Sequence, residues 1–193
     1  MPTHEIAFTF LSPWHMGSGY GEGPNLDAVP VKSPAGLPLI PGKSVKGLFR
    51  EAILLAEEFG KLSAGTTRQL LGSRDDTLSR YDSTPGCLNF DSATLGEAME
   101  AWAADRKNAD TVRQLFMTLA STSIDQNGLA SDKTLRRIEI AVPLTLTAKV
   151  NSTVQIRKLT ETLQLAASLI REAGTHRHRG LGRVIVSVKE EQK

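Results

Sequence analysis

Residues 137–150 carry the longest regular pattern in the sequence, because every second side chain is apolar: Ile138, Ile140, Val142, Leu144, Leu146, Ala148 and Val150. Alternation with a period of two puts all of these side chains on one face of an extended chain. The pattern therefore predicts one long strand over 137–150. It also restricts the chain to folds that contain a sheet with one buried face.

Shorter patterns predict the remaining elements of the fold. Apolar or partly alternating runs predict strands at 5–11, 87–91 and 182–189, and helical spacing predicts amphipathic helices at 44–59 and 153–173. Residues 96–120 are predicted to be helical in two pieces, broken near Asn108 and with Asp110 capping the second piece. Residues 60–85 are predicted to be polar and irregular, and Gly60 and Gly174 to end the two amphipathic helices. Asn127 and Gly128 indicate a hairpin turn.

Without the insertions, the order is strand, helix, strand, strand, helix, strand. This is the βαββαβ order of the split βαβ, ferredoxin-like fold, which RNA-recognition (RRM-like) modules share. We therefore expect one α+β domain over 1–193, with an inserted helical segment at about 92–121 and a thumb β-hairpin at about 122–137. The strands lack the aromatic signature of RNA-recognition modules, so stacking of bases on the sheet is not expected.

Two basic segments stand out. The first lies at the start of the helix predicted over 44–59, where Lys43, Lys46 and Arg50 surround Ser44, the predicted N-cap. A helix start with added cations is an anion site. The segment is not a P-loop, because the first glycine of that motif falls on Leu37. An ordinary capped surface helix is the alternative.

The second basic segment, residues 174–183, mixes three Arg, two His and three Gly just before the last strand. Arg binds phosphate with paired donors, and Gly allows a close approach of the backbone. A metal site at His176 and His178 would need further ligands that the sequence does not supply, and a solvated basic loop is the other alternative. Two such segments point to an extended phosphate backbone rather than a single nucleotide.

Composition limits the classes of function that the chain can have. Aromatic residues are 5% of the chain and the net charge is +2, which permits nucleic-acid binding without requiring it. Cys87 is the only cysteine, so an internal disulfide and a cysteine metal cluster are excluded. There is no signal-peptide pattern and no apolar run of about 20 residues. We expect a soluble, cytoplasmic protein.

Four stretches together resemble the RAMP superfamily of CRISPR effector proteins, and above all the repeating backbone subunit of type III complexes. Residues 12–19 resemble the loop after the family's first strand, and 36–50 resemble its Leu-Pro-x-Ile-Pro-Gly helix start. Residues 122–143 resemble its thumb hairpin and return, and 180–184 its glycine-rich loop. The stretches follow the family's order and span most of the chain.

The resemblance implies that the chain binds guide RNA and complementary target RNA, together with copies of itself and other effector subunits, and does not bind a membrane. Residues implied to hold RNA are Lys43, Ser44, Lys46, Arg50, Arg136, Arg177, Arg179, Gly180, Gly182 and Arg183, with His15 as a weaker contact. Ile124 and Leu129 of the thumb would displace a base pair of the duplex. The alternative for these two side chains is packing within the hairpin.

The resemblance also implies a cutting residue, because Asp27 lies in a stretch, 25–34, that matches the family's catalytic loop with one residue deleted. The target's 2′-OH would attack the adjacent phosphate, and Asp27 would recruit a divalent metal ion, expected to be Mg²⁺, or help to move the proton. An ordinary loop aspartate is the alternative. Two other functions stay open: a non-catalytic backbone or end subunit, and a stand-alone endoribonuclease that processes guide precursors.

Overall fold

The structure is a computed structural model, and it describes residues 3–23, 25–73 and 83–191. The strands in these residues are β1 (Thr3–Phe10), β2 (Leu88–Phe90), β3 (Phe116–Ser121), β4 (Arg136–Ala141), β5 (Thr145–Ser152) and β6 (Val184–Glu190). The helices are α1 (Gly42–Glu58), α2 (Thr66–Leu71), α3 (Glu97–Ala103), α4 (Ala109–Arg113) and α5 (Leu159–Leu169). Short 3₁₀ turns lie at Arg106–Asn108 and Arg177–Arg179.

Four strands form the main sheet in the order β2-β5-β1-β6, and all neighbouring pairs are antiparallel. The central strand β1 aligns Ile6 with Ala148 of β5 on one side and with Val188 of β6 on the other. This order, with α1 and α5 as the connecting helices, is that of the ferredoxin-like fold. The predicted fold class is confirmed.

The core lies between this sheet and the two connecting helices. Every second residue of β1 is buried, including Ile6 and Phe8, and α1 buries Phe49 and Ile53 against them. Leu163 of α5 completes the layer. Burying one such side chain fully stabilises the fold by about 1.5–3 kcal/mol, so the two helical stripes hold the helices on the sheet.

The prediction of one long strand over 137–150 is wrong. The chain forms two strands there, β4 and β5, with a bend at Pro143 between them. The Val142 N–H donates to the carbonyl of Leu115 beside β3, whereas the carbonyl of Leu144 accepts from Phe10 of β1. The chain therefore changes sheets within three residues. Alternation shows which face is buried and not which sheet a residue joins, so it runs across the bend unbroken.

The helical prediction for 96–120 is correct only as far as Arg113. The break near Asn108 is confirmed, but Asn108 and not Asp110 precedes α4. From Phe116 the chain is a strand paired with β4, in register with Met117 opposite Ile140. Tertiary pairing here overrides the helix preference of the Met, Leu and Ala residues in β3.

Other boundaries also move. The helix predicted over 153–173 is α5 alone and ends before Gly174, whereas Gly60 does follow the end of α1 in a left-handed conformation. The segment predicted to be irregular over 60–85 contains α2, and its residues 74–82 lie outside the described residues. No helix in the described part of the chain is long and apolar enough to cross a membrane.

Candidate nucleic-acid interface

The two basic segments lie at different corners of the main sheet. Gly42, at the start of α1, packs against the backbone of Phe90 and Asp91 where β2 ends. The glycine-rich loop, residues 174–183, leads into β6, and its Arg183 N–H donates to the Ser12 hydroxyl just after β1. The segments lie at opposite edges of the sheet and at different heights along its strands, because Phe90 aligns through Val150 with His4 at the start of β1, whereas Val184 aligns with Phe10 at its end.

The start of α1 differs from the sequence prediction. The carbonyl of Pro41 accepts from the N–H groups of both Ser44 and Val45, so the helix begins at Gly42 and Ser44 lies in its first turn. Ser44 is therefore not the N-cap. The Gly42 N–H donates to the hydroxyl of Ser92, which satisfies one of the unpaired donors of the helix start.

The cations of α1 have different surroundings. Lys43 is exposed, while Lys46 is half-buried. Burial, and to a smaller extent the nearby Arg50 cation, lower the pKa of the Lys46 ammonium. The guanidinium of Arg50 donates to the carbonyls of Leu71 (2.7 Å) and Gly72 (3.0 Å) at the end of α2. Arg50 thus stabilises the contact between α1 and α2, and its contact with RNA stays a prediction.

The glycine-rich loop is held to the body of the protein by backbone hydrogen bonds. The Gly182 N–H donates to the carbonyl of Pro13, and the Gly182 carbonyl accepts from Ala173. Gly182 has a φ of +76°, and an added Cβ would lie 2.1 Å from the carbonyl oxygen of Ala173. Only glycine fits there, because the conformation is left-handed and no space is left for a side chain.

The loop and the base of the hairpin together form a basic groove, a name used below for the space lined by Arg136, Gly174, Thr175, His176, Arg177, His178 and Arg179. Its volume is about 490 Å³. Arg136 belongs to β4 and the other residues to the loop. The Arg177 guanidinium also lies 4.0 Å from the Glu51 carboxylate of α1. Arginines that converge on one groove suit the oxygens of a phosphate backbone.

Asp27 lies beside the start of β4, where the connecting hairpin segment 122–135 joins the paired strands β3 and β4; this junction is called the base of the hairpin. Its Oδ2 accepts a hydrogen bond from the Arg137 N–H at 2.7 Å, and its own N–H donates to the Arg137 carbonyl at 2.7 Å. Ala28 then pairs in parallel with Ile138. The exposed Asp27 carboxylate is therefore anchored one residue away from Arg136, which lines the basic groove.

The tip of the hairpin combines a fixed backbone with exposed apolar side chains. Asp125 Oδ1 accepts from the N–H groups of Asn127 and Leu129, both at 2.9 Å, and Gly128 takes a φ of +79°. Ile124 is 70% exposed and Leu129 is 66% exposed. Packing of these two side chains within the hairpin is therefore excluded, and both project into solvent.

His15 is a buried residue, with only 2% of its surface exposed, which leaves almost no surface for a direct contact with RNA. Its Nδ1 lies 2.6 Å from the carbonyl oxygen of Glu139 and must donate, because a carbonyl only accepts. Burial lowers the pKa of His15, partly offset by this hydrogen bond, so the neutral ring is favoured.

The sequence analysis missed Lys32, which joins the Asp27 loop to the hairpin. Its Nζ lies 2.7 Å from Glu139 Oε2 and 4.3 Å from the centre of the Phe116 ring. A cation over an aromatic ring is stabilised by the ring electrons. Glu139 was noticed only as part of a family-like stretch, and no local spacing links it to a residue more than 100 positions earlier.

A metal ion would have few protein ligands at this interface. The described residues contain no group of three or more His, Cys, Asp or Glu side chains that could hold one. Asp27 is a single carboxylate. One carboxylate suffices for Mg²⁺ only where substrate phosphates and water supply the other ligands.

Comparison with known proteins identifies the family and the fold. A sequence model of the RAMP superfamily matches residues 7–185. A chain of the Type III-B Cmr-beta bound to cognate target RNA, solved by cryo-EM, superposes with a TM-score of 0.70 at 10% identity, covering 96% of each chain. A chain of the apo state of Type III-B Cmr-beta gives 0.65 at 11% identity, covering 99% of this chain and 98% of that one. No curated protein sequence matches significantly.

Proposed function

This chain belongs to the RAMP superfamily, and on that premise we propose that it is a guide-RNA-binding backbone subunit of a type III CRISPR effector complex. In this role it positions guide RNA and complementary target RNA and cleaves the target with Asp27. Its partners are copies of itself and other effector subunits, in the cytoplasm. The shared fold with Type III-B Cmr-beta, one structure of which is bound to cognate target RNA, supports this choice of complex.

One observation carries the proposal: Asp27, the base of the hairpin and the basic groove meet at one end of the sheet. The hydrogen bonds between Asp27 and Arg137 put the carboxylate beside the strand that supplies Arg136 to the groove. Arg136, Arg177 and Arg179 bind backbone phosphates in a way that fixes the position of an RNA strand without reading its sequence. Base pairing then supplies the sequence specificity.

The remaining RNA contacts extend this arrangement in two directions. Lys43, Ser44 and Lys46, at the start of α1 beside the opposite edge of the sheet, bind the guide backbone farther along the RNA. Ile124 and Leu129, exposed at the fixed tip of the hairpin, wedge into the duplex and displace a base pair. An apolar wedge unstacks bases at a cost that the added contacts offset.

Cleavage uses the target's own 2′-OH. The 2′-oxygen forms a bond to the adjacent phosphorus while the bond from phosphorus to the 5′-oxygen breaks, and the proton passes from the attacking hydroxyl to the leaving oxygen. Asp27 accepts the proton or orients the hydroxyl that loses it. Asp27 and RNA phosphate oxygens would hold Mg²⁺, which when bound supplies positive charge beside the phosphate.

The catalytic role is tested by Asp27→Asn in the purified complex. Asn keeps an oxygen that can accept from the Arg137 N–H but removes the charge, so we expect the hairpin base to stay intact while target cleavage falls about 100-fold or more. Glu22→Gln is the matched control, because Glu22 is an exposed carboxylate of the same loop. Unchanged cleavage by Asp27→Asn would leave a non-catalytic backbone subunit.

RNA binding is tested separately, by extracting nucleic acid from the native protein and measuring its length. We expect RNA of defined length, because a backbone subunit protects a fixed stretch of guide. A monomer that carries no nucleic acid would contradict the proposal, whatever the result for Asp27.

A further inference from the structure

His15 connects the two parts of the interface that the proposed function assigns to different tasks. On one side lies the glycine-rich loop, which forms most of the basic groove. On the other lies the hairpin base, which anchors Asp27. His15 itself is buried between them, near the start of the long segment that follows β1.

Toward the glycine-rich loop, the contact is made by the backbone of His15. Its carbonyl accepts from the Thr175 N–H at 2.9 Å. Gly174 packs so closely on the same carbonyl that an added Cβ would lie 2.5 Å from the oxygen. The His176 ring meets the His15 ring edge-on, with 6.4 Å between their centres. The first residues of the basic groove therefore rest directly on His15.

Toward Asp27, the contact is made by the ring. Nδ1–H donates to the Glu139 carbonyl at 2.6 Å, and the Glu139 N–H donates to the carbonyl of Ala28, next to Asp27, at 3.0 Å. The Glu139 carboxylate is fixed in turn by Lys32. An unbroken series of hydrogen bonds thus runs from Thr175 through His15 and Glu139 to the residue after Asp27.

We propose that His15 is a positioning residue that couples the glycine-rich loop to the hairpin base, so that RNA held in the basic groove and the Asp27 carboxylate keep a fixed relative position. This inference rests on the proposed function. It assigns His15 no contact with RNA. The coupling depends on the Nδ1 bond, because breaking it would leave the Glu139 carbonyl without its buried donor and loosen the strand that anchors Asp27.

Two substitutions of similar polarity separate this role from simple packing. The side-chain amide of Asn lies near the position of Nδ1, whereas that of Gln, one carbon farther out, lies near the position of Nε2. In the assembled complex we expect His15→Asn to cleave target within about threefold of wild type, since it restores one hydrogen bond. We expect His15→Gln to cleave about tenfold more slowly or worse, because small displacements of reacting groups have large effects on rate. The amount of guide RNA in the complex should be the same for both variants.

Equal cleavage by the two variants would overturn the coupling, since a packing role does not depend on where the amide lies. If His15→Gln fails to assemble, Lys32→Met takes its place. Met keeps an apolar stem over the Phe116 ring but removes the cation, and with it both the ion pair with Glu139 and the cation–π contact. Slower cleavage is then expected, and cleavage at the wild-type rate would overturn the proposal.

Hydrogen–deuterium exchange gives a readout that does not need cleavage. We expect guide RNA added to the purified chain to slow exchange in residues 136–141 of wild type and His15→Asn, and to slow it much less in His15→Gln. Equal protection in all three overturns the coupling alone. A wild-type chain that binds no guide RNA overturns the proposed function and the coupling together, so the two failures are distinguishable.

Discussion

The start of α1 and the glycine-rich loop have similar compositions, yet the structure uses their cations differently. In α1, Arg50 donates to the carbonyls that end α2, and Lys46 is half-buried. In the glycine-rich loop, backbone bonds from Gly182 and Thr175 hold the chain, and the side chains of Arg177 and Arg179 are exposed around a groove.

The difference shows that a cation is available to a ligand only when another group has taken over the structural task. Backbone donors and glycines fix the loop, so its arginines can line a groove. In α1 the helix backbone satisfies itself, and the contact with α2 has to come from a side chain. We therefore expect the glycine-rich loop to contribute more to phosphate binding than the start of α1 does.

The largest effect is expected from the glycines. Gly182→Ala puts a Cβ against the Ala173 carbonyl in a left-handed conformation, and should lower the free energy of unfolding by about 3 kcal/mol or more, as measured by urea denaturation. Gly180→Ala is the matched control, because Gly180 is also left-handed but open, with an expected cost of about 1–2 kcal/mol. Equal costs would mean that the loop adapts and is not rigidly held.

A glycine in α1 serves as a control for the two loop glycines. Gly47 is helical, with nothing within 4 Å of an added Cβ, so Gly47→Ala should raise the free energy of unfolding by about 0.5–1 kcal/mol.

The next effect concerns RNA affinity. Replacing Arg177 and Arg179 together with Ala should weaken binding of a guide-length RNA about 10- to 100-fold, and lower the slope of log affinity against log salt by about 1.5–2. Replacing Lys43 and Lys46 together should cost less than about fivefold, because Lys46 is half-buried and its charge is partly disfavoured. Titrations at several salt concentrations measure both. A larger loss of RNA affinity from replacing the two lysines would mean that the start of α1 binds phosphate more strongly than the glycine-rich loop.

The last effect concerns the stability contributed by Arg50. Arg50→Ala removes two charge-assisted hydrogen bonds to the end of α2 and should lower the free energy of unfolding by about 2 kcal/mol. Arg50→Lys should recover only part of this, since one ammonium lacks the forked donors of a guanidinium. Loss of RNA affinity without loss of stability would instead make Arg50 a direct RNA contact.

Much of the fold follows from local patterns. The stripe of Val45, Phe49 and Ala52 identifies α1, and alternation identifies β1 and β6, because periodicity reports which face of an element is buried. The change of sheet at Pro143 and the strand β3 were not predictable in this way. Each depends on which distant strand the chain pairs with, and the local sequence carries no record of that partner.

The residues of the interface were likewise predictable from the sequence in part, whereas their arrangement was not. Arg177 and Arg179 were singled out from the sequence because arginines among glycines suit phosphate, whereas Asp27 and Arg136 were singled out through the resemblance to the RAMP superfamily. The convergence of the three arginines on one groove, and the position of Asp27 beside it, depend on sheet order and on hydrogen bonds between residues more than 100 positions apart. His15 illustrates the opposite case, because a histidine in a loop after a strand looks exposed until the glycine-rich loop packs over it.

The sequence by itself determined the βαββαβ order of the core elements, the faces they bury and the kinds of side chain at the interface. Short-range periodicity and residue chemistry are enough for these properties. Only the tertiary structure decided that Arg50 serves the fold, that Arg136 joins the glycine-rich loop, and that His15 lies buried between that loop and the base of the hairpin. These outcomes depend on which backbone donors and acceptors remain to be satisfied once the sheet has formed, and that is a property of the whole fold.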